Sequence, residues 1–319
     1  MKSLYWVFPC YNEEECLPFS YKEINDKFTA LLNNNKISKE SRLVFVDDGS
    51  KDKTWEVISS FAKDNTYVVG LKFSRNKGHQ YAVEAGLRYA NSKNADFTIT
   101  MDVDLQDDIN VIDEMVDKYY EGFEVVYGVR NDRKTDSFFK RATANAYYDF
   151  MKNAGVEMIS NAADFRLIGS KALAALLSYN EANLFLRGLV PQVGYPSTKV
   201  EFKRLKRKQG KTHYSFSKMF NLAIDGITAF SDKPLRILSR CGVAFIVLAI
   251  IAMLTFMILN LTHVLAFSIY YYLFPFIALN VGILLIALGI VGIYIGRINI
   301  ETKKRPHYFI EEIISSDKQ

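Results

Sequence analysis

The sequence predicts an α/β domain with a mainly parallel sheet, followed by a C-terminal two-helix transmembrane hairpin. Three observations lead there. Short apolar runs alternate with amphipathic segments through residue 130, which implies parallel strands joined by right-handed helical crossovers. Polar, often acidic loops follow successive apolar runs, and in an open sheet ligands sit at the carboxyl ends of the strands. Residues 241–261 and 267–296 contain no Asp, Glu, Lys or Arg, and each run meets the roughly 20 apolar residues needed to cross a bilayer.

The elements follow in order. Residues 4–8 read as a buried strand ending at Pro9, and 22–33 as a helix with Ile24, Phe28, Leu31 and Leu32 on one side. A second strand at 42–46 is closed by Asp47-Asp48-Gly49-Ser50, and 54–63 is helical through Trp55, Val57, Ile58, Phe61 and Ala62. A strand at 68–73 and a helix at 81–89 come next, then a strand at 97–101, a helix at 111–120 and a strand at 124–129. Beyond Arg130 the pattern changes. Residues 137–152 read as an aromatic-rich helix, 156–167 as a connector bearing Asp164, 172–177 and 183–189 as helices, and 191–204 as containing an extended segment. Residues 216–230 carry an apolar stripe through Phe216, Met219, Phe220, Ala223, Ile224 and Ile227, suited equally to the domain core or to a membrane interface.

The domain boundaries are therefore 1–214 for the α/β domain, 215–236 for a juxtamembrane amphipathic region, 237–298 for two transmembrane helices (about 241–261 and 270–296), and 299–319 for a cytoplasmic tail. Lys233, Arg236 and Arg240 precede the first span, Arg297, Lys303, Lys304 and Arg305 follow the second, and the connector 262–266 has neither Lys nor Arg. By the positive-inside rule the α/β domain and both termini are cytoplasmic. Residues 1–10 are too short an apolar stretch for a signal peptide, and three acids follow at 13–15. Tyr270, Tyr271 and Tyr272 suit an interfacial aromatic belt. Cys10, Cys16 and Cys241 form neither a disulfide framework nor a zinc spacing, as expected of thiols in a reducing compartment.

The net charge of +5 is uneven: Lys199, Lys203, Arg204, Lys206, Arg207, Lys208 and Lys211 cluster against one acid, Glu201. Such a cluster suits an anionic polymer, membrane surface or phosphorylated substrate, and the hydrophobic spans favour the last two over nucleic acid. The run Asp102-Val103-Asp104-Leu105-Gln106-Asp107-Asp108 carries the chemistry. Carboxylates at the end of a buried strand cost free energy unless paired or bound to a metal, and a divalent ion on such oxygens bridges nucleotide phosphates. Asp107 and Asp108 read as solvated acids at the start of the next helix. In Ser74-Arg75-Asn76-Lys77-Gly78-His79, Arg75 and Lys77 answer phosphate charge, Gly78 permits close backbone approach, and His79 reads as a local hydrogen-bonding residue.

Together, Pro9-Cys10-Tyr11-Asn12-Glu13-Glu14-Glu15, Val46-Asp47-Asp48-Gly49-Ser50 with Asp52 and Thr54, the acidic run, Gly128-Val129-Arg130, Asp164-Phe165-Arg166-Leu167, Phe185-Leu186-Arg187-Gly188 and residues 225–236 resemble the family-2 inverting glycosyltransferases of GT-A fold. Within them the resemblance is closer to polyprenyl-phosphate glycosyltransferases, the group of dolichol-phosphate mannose synthase and the bactoprenol glucosyl transferases, and it runs from about Leu4 to Arg297. It implies an enzyme moving one sugar from a nucleotide-sugar to a membrane polyprenyl phosphate, with UDP-glucose, UDP-N-acetylglucosamine and UDP-galactose as alternative donors. Pro9, Tyr11, Glu13, Asp48, Arg75 and Asp102 would bind the donor. Asp104, Gln106 and Asp102 would hold Mg²⁺ or Mn²⁺, and Arg130, Arg204 and Lys211 would grip the acceptor phosphate. A bacterial plasma-membrane location, a homo-oligomer and a partner flippase complete the expectation.

Asp164 matches the family's proposed catalytic base. A phosphate monoester is already mostly dianionic at neutral pH, with a second pKa of about 6, so orienting the sugar hydroxyls or Arg166 is an equal alternative. Two stretches depart from the usual pattern. Many relatives read Arg/Lys-x-x-Gly-x-Ser-Lys-Tyr where this chain has Arg207-Lys208-Gln209-Gly210-Lys211-Thr212-His213-Tyr214, so His213 replaces a permanent charge that Lys211 or a protonated His213 must supply. Bacterial relatives often read Arg-Asn-Phe-Gly-Lys-Glu where this chain has Arg75-Asn76-Lys77-Gly78-His79-Gln80, which alters donor contacts. Two other readings compete. A processive polysaccharide synthase would place a tryptophan in Gln-x-x-Arg-Trp, and neither Trp6 nor Trp55 does so. A non-catalytic membrane-anchored binding protein would have lost Asp102, Asp104 and Asp164, and all three are present.

Overall fold

The computed structural model describes residues 1–131, 159, 161–179, 181, 184–204, 233–261 and 270–315. The expected helices at 137–152 and 216–230, together with Lys211 and His213, lie outside the described residues. The order is β1 (Leu4–Cys10), α1 (Leu17–Asn33), β2 (Arg42–Asp47), α2 (Thr54–Asp64), β3 (Val68–Phe73), α3 (His79–Ser92), β4 (Phe97–Thr100), α4 (Ile112–Tyr120) and β5 (Val125–Arg130). It continues with β6 (Ala162–Gly169), α5 (Ser170–Ser178), α6 (Leu186–Gln192), β7 (Ser197–Phe202), α7 (Lys233–Leu261), α8 (Tyr270–Thr302) and β8 (Ile310–Ser315).

One eight-stranded sheet has the order β7-β5-β6-β4-β1-β2-β3-β8. The β1/β2, β1/β4, β2/β3 and β5/β7 pairs are parallel, whereas β6 runs antiparallel to both β4 and β5 and β8 antiparallel to β3. The sheet is therefore mixed but mainly parallel, and the carboxyl ends of β1 to β5 and β7 share one edge. Both faces are covered, as parallel strands require. In β1, Leu4, Trp6, Phe8 and Cys10 enter one core cluster while Tyr5 and Val7 enter another, the two-residue alternation of a pleated strand. With lateral apolar surface consumed on both sides, the strand-end edge is left for polar chemistry.

Local differences from the sequence reading have physical reasons. α1 begins at Leu17, ahead of the expected start, because Pro18 sits in its first turn, where a missing N–H and a fixed φ favour helix initiation. Residues 162–169 form β6 rather than a connector, so Asp164 is held on a strand. α3 packs tightly against the sheet at Gly86, where an added Cβ would lie 2.2 Å from Val7 Cγ1.

α7 and α8 are long and apolar enough to cross a membrane: the windows Leu235–Ala252 and Leu279–Thr302 have mean hydropathies of 2.1 and 2.3 and neither is buried by protein. They are therefore not buried core helices. Past α8 the chain does not remain a tail. It returns to the domain, where β8 pairs with β3 from Val69↔Ser315 to Phe73↔Ile310. Tyr308 stacks on Phe73 with centroids 4.6 Å apart at 9°, and Trp55 Nε1 donates to Glu312 at 3.0 Å. His307 Nδ1 lies 3.4 Å from Glu84, a buried acid of α3 that Arg88 also holds at 2.7 Å.

Tyr308→Ala is expected to destabilise the protein by about 2 kcal/mol through lost aromatic burial. Thermal unfolding in detergent checks this, and an unchanged midpoint would show that the returning segment adds no stability.

Candidate active site

The shared strand-end edge carries a cavity of about 400 Å³, whose lining includes Pro9, Tyr11, Glu13, Asp48, Asp102 and Asp104. The first two loops are stitched together. Asn12, in the left-handed region at φ 54°, donates its N–H to Ser50 Oγ at 3.0 Å and accepts from Lys51 N–H at 2.9 Å. Glu13 N–H donates to Thr54 Oγ1 at 2.8 Å. Asp48 then organises the third loop by accepting from Asn76 Nδ2 at 3.0 Å, Lys77 N–H at 2.7 Å and Gly78 N–H at 2.8 Å. Burial pushes its carboxyl up, although the Lys77 and Gly78 amides oppose the shift. Gly49, at φ +64°, is required here, because a Cβ would lie 2.4 Å from the Arg75 carbonyl carbon.

The acidic loop after β4 is aimed by alternation. Met101, Val103 and Leu105 are buried, while Asp102, Asp104 and Gln106 between them are partly exposed. Asp102 and Asp104 reach the cavity, and Asp104 Oδ1 accepts from Gln106 N–H at 3.2 Å. The Gln106 side chain turns elsewhere: its Oε1 accepts from Arg204. Among the described residues no group of three or more His, Cys, Asp or Glu side chains is placed to hold a metal ion.

Asp107 corrects the expectation of a solvated acid. It is 3% exposed and pairs with Arg130, whose Nη2 donates at 2.9 Å. Burial pushes its carboxyl up to about 6, against the pull of Arg130 and with added repulsion from Asp102. Asp108 is the acid that caps, accepting from Asn110 N–H at 2.9 Å. Arg130 and Arg204 thus both contact the acidic loop. Arg75 is exposed and is not among the lining residues.

Asp164 is brought to the same edge by the β4–β6 register, in which Thr100 faces Arg166 and Thr100 Oγ1 donates to the Asp164 carbonyl at 2.6 Å. Its Oδ1 accepts from Arg166 Nη2 at 2.6 Å and Arg187 Nε at 3.0 Å, and its Oδ2 from Arg187 Nη2 at 2.9 Å. Burial alone would raise its carboxyl, but the Arg187 and Arg166 guanidiniums outweigh that and hold it well below the usual carboxylate range. His79 Nε2 lies 3.7 Å from Asp164 Oδ2 and 3.8 Å from Asp102 Oδ1. His79 therefore lines the cavity between two acids rather than serving only its own loop. Arg187 carried no role in the sequence reading. The available signal was the Asp164/Arg166 two-residue spacing, which puts two opposite charges on one strand face in need of further balance.

Asp107 links the site to stability. The native state retains its proton up to about pH 6, whereas the ordinary carboxyl value is 3.8. That favours folding below both values and is lost as pH rises through the higher one. Asp107→Asn is accordingly expected to raise the stability of metal-free protein by about 1–3 kcal/mol above pH 7 and to have little effect near pH 4. Unfolding curves at the two pH values check it, and a gain confined to acid would reverse the sign argument.

Comparison with known proteins gives the chain's family and fold. The family model described as glycosyl transferase family 2 matches residues 5–176. An uncharacterized glycosyltransferase of Bacillus subtilis, YkoT, is 44% identical over 312 residues, covering 96% of this chain and 90% of the relative. A prophage bactoprenol glucosyl transferase homolog of Escherichia coli is 38% identical over 314 residues, covering 96% and 98%. The bactoprenol glucosyl transferase of Shigella phage SfV is 37% identical over 320 residues, covering 98% of each. Among solved structures, the mannosyltransferase PcManGT of Pyrobaculum calidifontis, in complex with GDP-Man and Mn²⁺, superposes with a TM-score of 0.50 at 12% identity, over 74% of this chain and 64% of that one. That likeness speaks to the GT-A fold. The chain belongs to glycosyl transferase family 2.

Proposed function

We propose that the protein transfers one hexose, glucose first among the candidates, from a UDP-sugar to undecaprenyl phosphate with inversion at the anomeric carbon. The observation that carries this reading is the meeting, at one sheet edge, of the Asp102/Asp104 pair, the arginine-held Asp164 and Arg130 and Arg204. The near full-length similarity to proteins named bactoprenol glucosyl transferases supports the acceptor and the sugar.

Pro9, Tyr11, Glu13 and Asp48 bind the nucleoside in this reading, with Tyr11 at the exposed lip. A divalent ion, Mg²⁺ or Mn²⁺, fits Asp102 and Asp104. These are two partly exposed carboxylates split by one buried residue, and Mg²⁺ takes one or two protein carboxylates and completes its shell with phosphate and water. Three protein acids are thus not needed. When bound, the ion offsets charge on the departing diphosphate. Gln106, turned to Arg204, serves the acceptor side better than the metal. The acceptor phosphate, steered by Arg130, Arg204 and Lys211, attacks the anomeric carbon in line as the bond to the diphosphate breaks. The dianionic phosphate needs no base, and an Asp164 locked between two guanidiniums is a poor proton acceptor; it orients the sugar.

Membrane topology follows the same reading. β8 belongs to the same sheet as the strands that precede α7, which supports a hairpin whose two ends lie on one side, the cytoplasmic one by charge.

Radiolabelled sugar transfer into a lipid-extractable product tests the proposal. The label is expected in lipid from one UDP-sugar and to vanish with EDTA. Failure with UDP-glucose, UDP-N-acetylglucosamine and UDP-galactose alike would refute it. Asp104→Ala is expected to abolish transfer; near-normal turnover would remove this carboxylate from the mechanism. For Arg204→Ala the KM for lipid phosphate is expected to rise about tenfold, as loss of a charged contact of about 1.4 kcal/mol implies, with the donor KM little changed. Equal loss of both would contradict the acceptor assignment.

A further inference from the structure

Asp164 is gripped more firmly than its burial requires. Arg166 is 3% exposed and also donates to the Leu186 carbonyl at 3.3 Å. A buried guanidinium needs a counter-charge, and one carboxylate meets that need. Arg166 touches only Oδ1, so by itself it leaves the carboxylate plane free to turn. Arg187 is different. It comes from α6, its side chain is 34% exposed, and it engages both oxygens through Nε and Nη2, the fork geometry that fixes a carboxylate's orientation. The start of α6 is in turn tied to the start of α3, where Leu186 N–H donates to Gln80 Oε1 at 3.2 Å. Oδ2, the oxygen facing His79, is thereby aimed from three elements.

One carboxylate thus meets two guanidiniums, the buried Arg166 and the partly exposed Arg187. Among the described residues, the groups facing Asp164 are Arg166 on β6, Arg187 on α6 and His79 on α3, with Asp102 beyond His79 and Tyr127 of β5 near Arg166.

We propose that Arg187 is a positioning residue for sugar transfer: it sets the plane of the Asp164 carboxylate against the transferred sugar. This deepens the proposed function and rests on it, since Asp164 must face a sugar for its orientation to matter. Arg187 is not among the cavity-lining residues.

The test compares wild type with R187M and R187K in lipid-transfer assays across pH, with UDP binding measured separately. R187M is expected to lose about 100-fold in kcat, the scale of a misplaced reacting group, while the Kd for UDP stays within about threefold. It should also gain an acid limb. With one of two cations removed the Asp164 carboxyl titrates higher, so activity falls at a pH where wild type is still level. R187K, which keeps charge but not the fork, is expected to retain the wild-type acid profile and lose about tenfold in kcat. An unchanged kcat, a pH profile that superimposes on wild type for R187M, or a parallel loss of UDP binding would overturn the proposal. If R187M fails to fold, R187K decides: reduced kcat with unchanged UDP affinity supports it and full activity refutes it. An inactive wild type would instead refute the proposed function itself.

Discussion

The antiparallel pairing of β4 with β6 is the constraint on which the site depends. β4 is short and delivers the acidic loop to the sheet edge; β6 runs the other way and delivers Asp164 to the same place. With Thr100 opposite Arg166, Asp164 and Asp102 both come within 4 Å of His79 Nε2, at 3.7 and 3.8 Å. A slip of one residue would turn Asp164 and Arg166 to the opposite face of the sheet. The fully buried Phe165 and Leu167 therefore hold the register through packing.

Charge at the edge is distributed by burial rather than by proximity alone. Asp102 and Asp104 remain partly exposed, where carboxylates keep their charge cheaply and can meet a cation. Asp107, one turn away, is buried and answered by Arg130. Asp164, its side chain 15% exposed, is answered twice, by Arg166 and Arg187. Acids of one residue type thus divide into candidate metal ligands, a brace for Arg130 and a carboxylate held between two guanidiniums, as neighbouring carboxylates do when their environments push their properties apart.

The returning C-terminal segment joins the membrane part to this edge. α8 leads through His307 and Tyr308 onto α3 and β3 before ending in β8. α3 is the helix whose first residue is His79 and whose Gly86 lies flat against β1. The apolar hairpin and the donor loop are consequently attached to the same rigid helix. That arrangement suits a reaction in which a lipid phosphate must meet a soluble donor at a constant height above the bilayer.

Much of this was legible in the chain itself. Runs such as Leu4 to Phe8 and Arg42 to Val46 read as strands because they are short, apolar and closed by Pro9 and by Asp47-Asp48-Gly49-Ser50. Asp102 and Asp104 stood out because carboxylates at a buried strand end are costly unless paired or ligated, and the two charge-free runs announced two helices long and apolar enough to cross a membrane. These are local properties, set by period, length and composition. Asp107 looked solvated beside Asp108, yet only the fold decides which of two adjacent acids faces Arg130. Residues 162–169 looked like a connector because an antiparallel insertion among parallel strands has no local signature. β8 was hidden because the exposed sequence Ile310-Glu311-Glu312-Ile313-Ile314-Ser315 becomes a strand only when β3 offers an open edge. Arg187 and Asp164 stand 23 residues apart, and no spacing rule joins them. Local chemistry determined the parts, and long-range pairing decided which charges meet, because the energy of a buried charge depends on neighbours that only the folded chain supplies.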